Sequence, residues 1–217
     1  VKLLVGMLFK EGGAREVQGM MNQYLTKNNT ELFFMQTRAT LQKLMAWHSW
    51  NEIIVLEEDE DPEPPEDILI VRMLQLMSEG HYGPNQDIMR EQPLNVVQVN
   101  LLDDFVTYFN VLSRLPCQTS TDAAIRVGAT IVEIIQGPCV GNQKYFALNT
   151  EVLEVMNRTL RAKVTNDCVD DQEIELKKTC LDTISALLEG QTPTDQVTER
   201  ILSVLHLDIV IGLSRPP

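Results

Sequence analysis

The stretch EIIQGPCVGNQ, residues 133–143, sets Glu133 near the end of an apolar run (Ile125, Val127, Ile131, Ile134, Ile135) that stops on Gly137-Pro138. A carboxylate there faces the negative end of a helix dipole among residues that favour burial. That placement costs free energy unless a cation compensates it. The pattern recurs: Glu11-Gly12 precedes Gln18, Glu79-Gly80 precedes Gln86 and Glu189-Gly190 precedes Gln196, each glutamate seven residues ahead of its glutamine. The segment from Glu133 through Gly137-Pro138 to Gln143 is a looser copy, and EGHYGP shares Glu-x3-Gly-Pro with EIIQGP. Two such glutamates brought together would repel unless a cation sat between them, and ligation by oxygen alone selects a hard cation such as Ca2+. For each glutamate taken alone, a solvated carboxylate or one paired with an arginine is the plainer reading.

Other chemistry has little foothold. The sequence contains no glycine-rich phosphate loop followed by lysine, no HExxH and no nucleophile elbow. Of three histidines, His48 lies between Trp47 and Trp50 in AWHSW and reads as a packed or partly exposed imidazole. Cys139 follows Gly137-Pro138 without a basic neighbour and reads as a buried, inert thiol. The chain is therefore expected not to be an enzyme. A methionine stripe (Met20, Met21, Met35, Met45, Met73, Met77) is read as core first and adaptable partner surface second.

The elements that must position the glutamates are helices. Apolar residues recur at helical spacing almost throughout, as in Val152, Leu153, Val155, Met156 and Leu160, while strand alternation with hairpin turns is missing. Helices are expected at 1–10, 14–27, 30–48, 67–79, 84–91, 95–115, 119–136, 142–148, 150–164, 170–189 and 194–212. Each Glu-Gly unit reads as a helix end closed by a left-handed glycine, a tight turn, and a helix start opened by a polar residue. The glutamates recur at intervals of 68, 54 and 56 residues. Repetition on that scale implies an all-α, armadillo-like solenoid of stacked antiparallel helices, with more helix per unit than an armadillo repeat of ~40–47 residues carries. The segment EEDEDPEPPED, residues 57–67, has eight acidic residues and three prolines. It is expected to be an exposed linker between an N-terminal helical repeat, 1–56, and a core solenoid, 68–217, that carries both Glu motifs. It lacks the central glycine of an EF-hand loop.

Composition narrows the partners. The 217 residues carry 31 acidic and 18 basic side chains, a net charge of −13. That charge disfavours nucleic acid and anionic lipid and suits cations or basic partners. Four cysteines without metal spacing favour a reducing, cytosolic setting. No apolar run is long enough to cross a membrane, so this segment is not expected to insert in one. The start on VKLLVGMLF and the end on SRPP read as a piece of something larger.

At LMSEGHYGPNQ, in residues 76–86, and EIIQGPCVGNQ the sequence resembles the conserved cytosolic domain of the inositol trisphosphate and ryanodine receptors, the intracellular calcium-release channels. Looser similarity runs from GGAREVQ to LLEGQ and TERIL. Glu-Gly-His and Gly-Asn-Gln are usual in ryanodine receptors, whereas TERIL leans toward the inositol trisphosphate receptors. The resemblance implies an α-solenoid on the cytosolic face of the endoplasmic or sarcoplasmic reticulum, in a tetrameric channel whose other domains and subunits, including its carboxy-terminal region, are the partners. It further implies that Glu79 and Glu133 are ligands of the activating Ca2+, with His81 and Gln136 in support. The alternative from the residues themselves is a helical-repeat scaffold that binds a basic peptide or protein and no metal.

Overall fold

The computed structural model describes residues 1–58, 65–115, 117–162 and 170–205. Within them lie α1 (Lys2–Leu8), α2 (Arg15–Lys27), α3 (Glu31–Glu58), a 3-10 turn (Glu66–Ile68), α4 (Leu69–Ser78), α5 (Gly83–Ile88), α6 (Leu101–Leu112), α7 (Gln118–Ile135), α8 (Val140–Asn149), α9 (Val152–Arg161), α10 (Asp170–Leu188) and α11 (Gln196–Val204). The described residues contain no strand, so the chain is all-α.

The helices pack in three rows that follow chain order. One holds α1, α4, α7 and α10, the second α2, α5, α8 and α11, the third α3, α6 and α9. Each unit is thus three helices long, one from each row, an order consistent with the armadillo-like stack expected and without an extra helix per unit. A continuous core runs through the rows, from Phe34, Leu41 and Leu44 of α3 through Met77, Phe105 and Phe109 to Ile131, Ile134 and Phe146. The α7–α10 contact is close because α7 carries small residues there: a Cβ on Gly128 would collide with the Thr179 side chain.

The expected helix ends are present, with glycine in the left-handed region at Gly12, Gly80, Gly137 and Gly190. Gly137, at φ 108°, ends the turn after α7, and His81 shares the left-handed region at φ 63°. These turns stack against one another. A Cβ on Gly80 would strike the carbonyl of Gly12, and one on Gly13 would lie 2.5 Å from the Glu79 carbonyl oxygen. A Cβ on Gly137 would lie 2.6 Å from the His81 Cβ, and one on Gly190 3.1 Å from the Pro138 Cγ.

Three sequence expectations need correction. Helix α3 continues to Glu58 rather than stopping at 48, and a 3-10 turn occupies Glu66–Ile68, so both ends of the expected 57–67 linker are helical. Glutamate tolerates a helix well, and no breaker precedes Pro62; the middle of that segment lies outside the described residues. Helix α6 starts at Leu101, not 95, because side chains satisfy the preceding loop: Gln92 bonds the Ile88 and Val99 carbonyls and the Val99 N–H, and Asn100 caps the Leu102 N–H. The helices after the glycine turns, α2, α5, α8 and α11, have no side-chain N-cap hydrogen bond. The polar residues expected there do something else.

Candidate functional site

In α2, α5 and α8 the repeated glutamine is the fourth residue: Gln18, Gln86 and Gln143. All three are buried, and each reaches across to the helix end of the following unit. The Gln18 Nε2 donates to the carbonyls of Leu76 and Glu79, both at 2.9 Å. Gln86 donates to Glu133 and Gln136 at 2.8 Å each, and Gln143 to Ala186 at 2.8 Å and Glu189 at 3.0 Å. One amide thus satisfies two of the carbonyls that a helix C-terminus leaves without partners. The preceding asparagines add a second tie. Asn85 bonds the carbonyls of Met77, at 2.9 Å, and Gln18, at 3.3 Å; Asn142 bonds those of Ile134, at 3.1 Å, and Gln86, at 2.8 Å. Gln196, the first residue of α11, is exposed and makes no side-chain hydrogen bond among the described residues, so the fourth copy does not clamp.

This scaffold presents the carboxylates. Glu79 follows the last residue of α4, and Glu133 lies in the last turn of α7; both are half-buried. Burial pushes the Glu133 carboxyl up to about 7, with the charge of Glu79 as the next cause; the Gly80 N–H bonded to it and the nearby Arg72 guanidinium pull the other way. The two glutamates are therefore electrostatic neighbours across the α4–α7 junction. Arg72 is itself held by Gln75, at 2.8 Å, and lies over the Phe9 ring. The exposed His81 packs over Gly137, and Gln136 is the C-cap residue of α7, its carbonyl taken by Gln86. All four residues singled out from the sequence, Glu79, Glu133, His81 and Gln136, thus fall at one junction. Among the described residues no group of three or more His, Cys, Asp or Glu side chains could hold a metal, so this is a pair and not a cage.

Several contributors escaped the sequence reading. Gln18 and Gln86 were visible as repeats, but their targets lie far away in the chain. Arg15 donates to the Gly80 carbonyl and lies over the Tyr82 ring, gripping the Glu79 turn from the first unit. Glu189, by contrast, is exposed, and its Oε2 accepts from the Gly137 N–H at 2.9 Å. His48 is buried against Trp47, Tyr108 and Ser120, the packed imidazole expected. Cys139 is buried, and desolvation raises its thiol pKa, as fits an inert cysteine.

Residues 67–160, which hold α4 to nearly the end of α9 and so both glutamates, match the family model described as RyR and IP3R Homology associated. That match supports the inositol trisphosphate and ryanodine receptor family for this chain. That family consists of calcium channels, not enzymes. No helix among the described residues is long and apolar enough to cross a membrane.

Proposed function

We propose that this chain is a calcium-sensing, force-transmitting segment of an intracellular calcium-release channel, on the cytosolic face of the endoplasmic or sarcoplasmic reticulum, within a tetramer. The observation that carries the reading is the Glu79–Glu133 pair, two half-buried carboxylates of which one is held well above its ordinary pKa partly by the other. Such a pair is costly alone and suits a hard divalent cation. Glu79 and Glu133 would hold Ca2+, and His81 and Gln136, beside Gly137, would support them. Ca2+ would supply the positive charge that removes the repulsion. Two carboxylates offer at most four oxygens of the ~6–8 that Ca2+ takes, so waters or a carbonyl from the channel's carboxy-terminal region complete the shell. Binding that favours the arrangement in which this region closes over the pair biases the channel toward conduction.

Calorimetric titration of the purified chain is expected to give weak Ca2+ binding, in the ~10⁻⁴–10⁻³ M range. In the full channel, Glu79→Gln or Glu133→Gln is expected to move activation to higher Ca2+ with the domain still folded. Wild-type activation in both folded variants would overturn the assignment. A second reading, a protein-binding scaffold without metal, is favoured by the apolar groove of about 360 Å³ lined by Leu4, Met7, Val17, Met20, Tyr24 and Phe33, where Met7 and Met20 are exposed. Retained partner binding in the double Glu79→Gln, Glu133→Gln variant, with no Ca2+ effect in either protein, would support it.

A further inference from the structure

We infer that Gln18 and Gln86 are positioning residues for the carboxylate pair, holding Glu79 and Glu133 by their backbones from the preceding helical unit. The inference rests on the calcium reading above for its functional meaning and on geometry for its substance. Gln86 accounts for it most directly: its amide bonds the carbonyl of Glu133 itself and that of Gln136, so the residue bearing one carboxylate is fixed at its own peptide unit. Gln18 does the same for the other, through the Glu79 carbonyl and that of Leu76. The two clamps are chained, because Asn85 links the Gln18 carbonyl to the Met77 carbonyl of α4 and so to the helix that ends at Glu79. Asn142 in turn holds the Gln86 carbonyl.

These bonds are buried, so losing a donor leaves two helix-end carbonyls without partners and lets the last turn relax. A site built from two side chains on two helix ends tolerates little such movement. The bonds also give the first unit a route to the site: a shift of α2 relative to α4 acts on Glu79 through Gln18 and Arg15, with no contact to the carboxylates.

Gln143 supplies the control, since it makes the same pair of bonds to the end of α10, away from both carboxylates. Gln18→Met, Gln86→Met and Gln143→Met would be made in the whole chain. Three quantities would be read: the thermal midpoint, Ca2+ affinity by calorimetry, and the hydrogen-exchange rate of the Gly80 N–H, which is bonded to the Glu133 carboxylate. All three variants are expected to lose similar thermal stability. Gln18→Met and Gln86→Met should weaken Ca2+ binding about tenfold, and Gln86→Met should speed Gly80 exchange about tenfold. Gln143→Met should leave affinity and exchange within twofold of wild type. If Gln143→Met moved both as far as Gln86→Met, or if Gln86→Met moved neither, the positioning role would be overturned. A wild-type chain that binds no Ca2+ while Gly80 exchange responds to Gln86→Met alone would overturn the calcium reading and uphold the positioning of the pair. Should Gln86→Met fail to fold, Gln86→Asn, which keeps an amide but withdraws it by one methylene, serves the same test.

Discussion

The α4–α7 and α7–α10 junctions are built alike and carry different chemistry. At each, a buried glutamine holds two carbonyls of the next helix end, and a glycine N–H of one turn donates to a glutamate of the next. The clamped pairs set the structural equivalence: Leu76 and Glu79, Glu133 and Gln136, Ala186 and Glu189. In that alignment Gln136 occupies the place of the strict repeat's glutamate. Glu133 stands where the other units have Leu76, 1% exposed, and Ala186, 6% exposed. A carboxylate in an apolar slot is half-desolvated and meets Glu79 across the junction, whereas Glu189, past the end of its helix, lies in solvent. A register shift within one repeat thus converts a structural turn into a candidate cation site.

The two junctions should differ most at their glycines. Gly80→Ala meets a left-handed backbone and the Gly12 carbonyl at once, and is expected to cost about 3 kcal/mol or more. Gly190→Ala meets the same strain but only a Pro138 ring carbon at 3.1 Å, and should cost about 1 kcal/mol. Urea unfolding of the two variants compares the junctions, and equal losses would show that the turns are not packed as described.

The next effect concerns Glu133 and pH. Its folded-state pKa, about 7, lies above the ordinary glutamate value, so its contribution to stability is fully present below about pH 4.5 and lost as pH rises through 7. Without Ca2+, and allowing for solvent screening of a carboxyl that is only half-buried, wild type should lose on the order of 1 kcal/mol between pH 5 and pH 8 relative to Glu133→Leu, which restores the residue type of the first equivalent position. Thermal melts across that range in a chelator check this, and parallel profiles for wild type and Glu133→Leu would refute the burial of a strained carboxylate.

Arg72→Gln removes a cation whose field partly offsets the repulsion, and should raise the Glu133 carboxyl pKa further, by a few tenths of a unit in a carbon-detected NMR titration. No change would place Arg72 outside the site.

Much of the scaffold was legible in the sequence, because glycines that must take a positive φ and apolar residues at helical spacing are local signals. They located the helices, the four turns and the repeat. The clamps were not legible. Gln18 finds its partners 58 and 61 residues away, and nothing in its neighbours distinguishes a helix opener from a bridge to another unit. The expected helix over 95–115 failed for a related reason: Gln92, Asn95 and Asn100 hold a loop by side-chain bonds that outweigh weak helical propensity. At the site, the oddity of Glu133 could be read from its apolar neighbours. Its meeting with Glu79 could not, since it depends on how α4 and α7 stack; only the resemblance to the receptor family joined the two residues in advance.

The clamps also point one way along the chain. Every glutamine bonds a helix end made later in synthesis, 43 to 61 residues further on, whereas each asparagine finds its own unit's carbonyl only eight residues back. On the ribosome a unit can therefore close its own turn as soon as it emerges, but its glutamine waits with an unsatisfied amide until the next three-helix unit has been translated. Assembly is vectorial: each completed unit offers the anchor for its successor, and a pause or truncation between Gln86 and Glu133 would leave the emerging chain with a buried donor and no helix end to receive it.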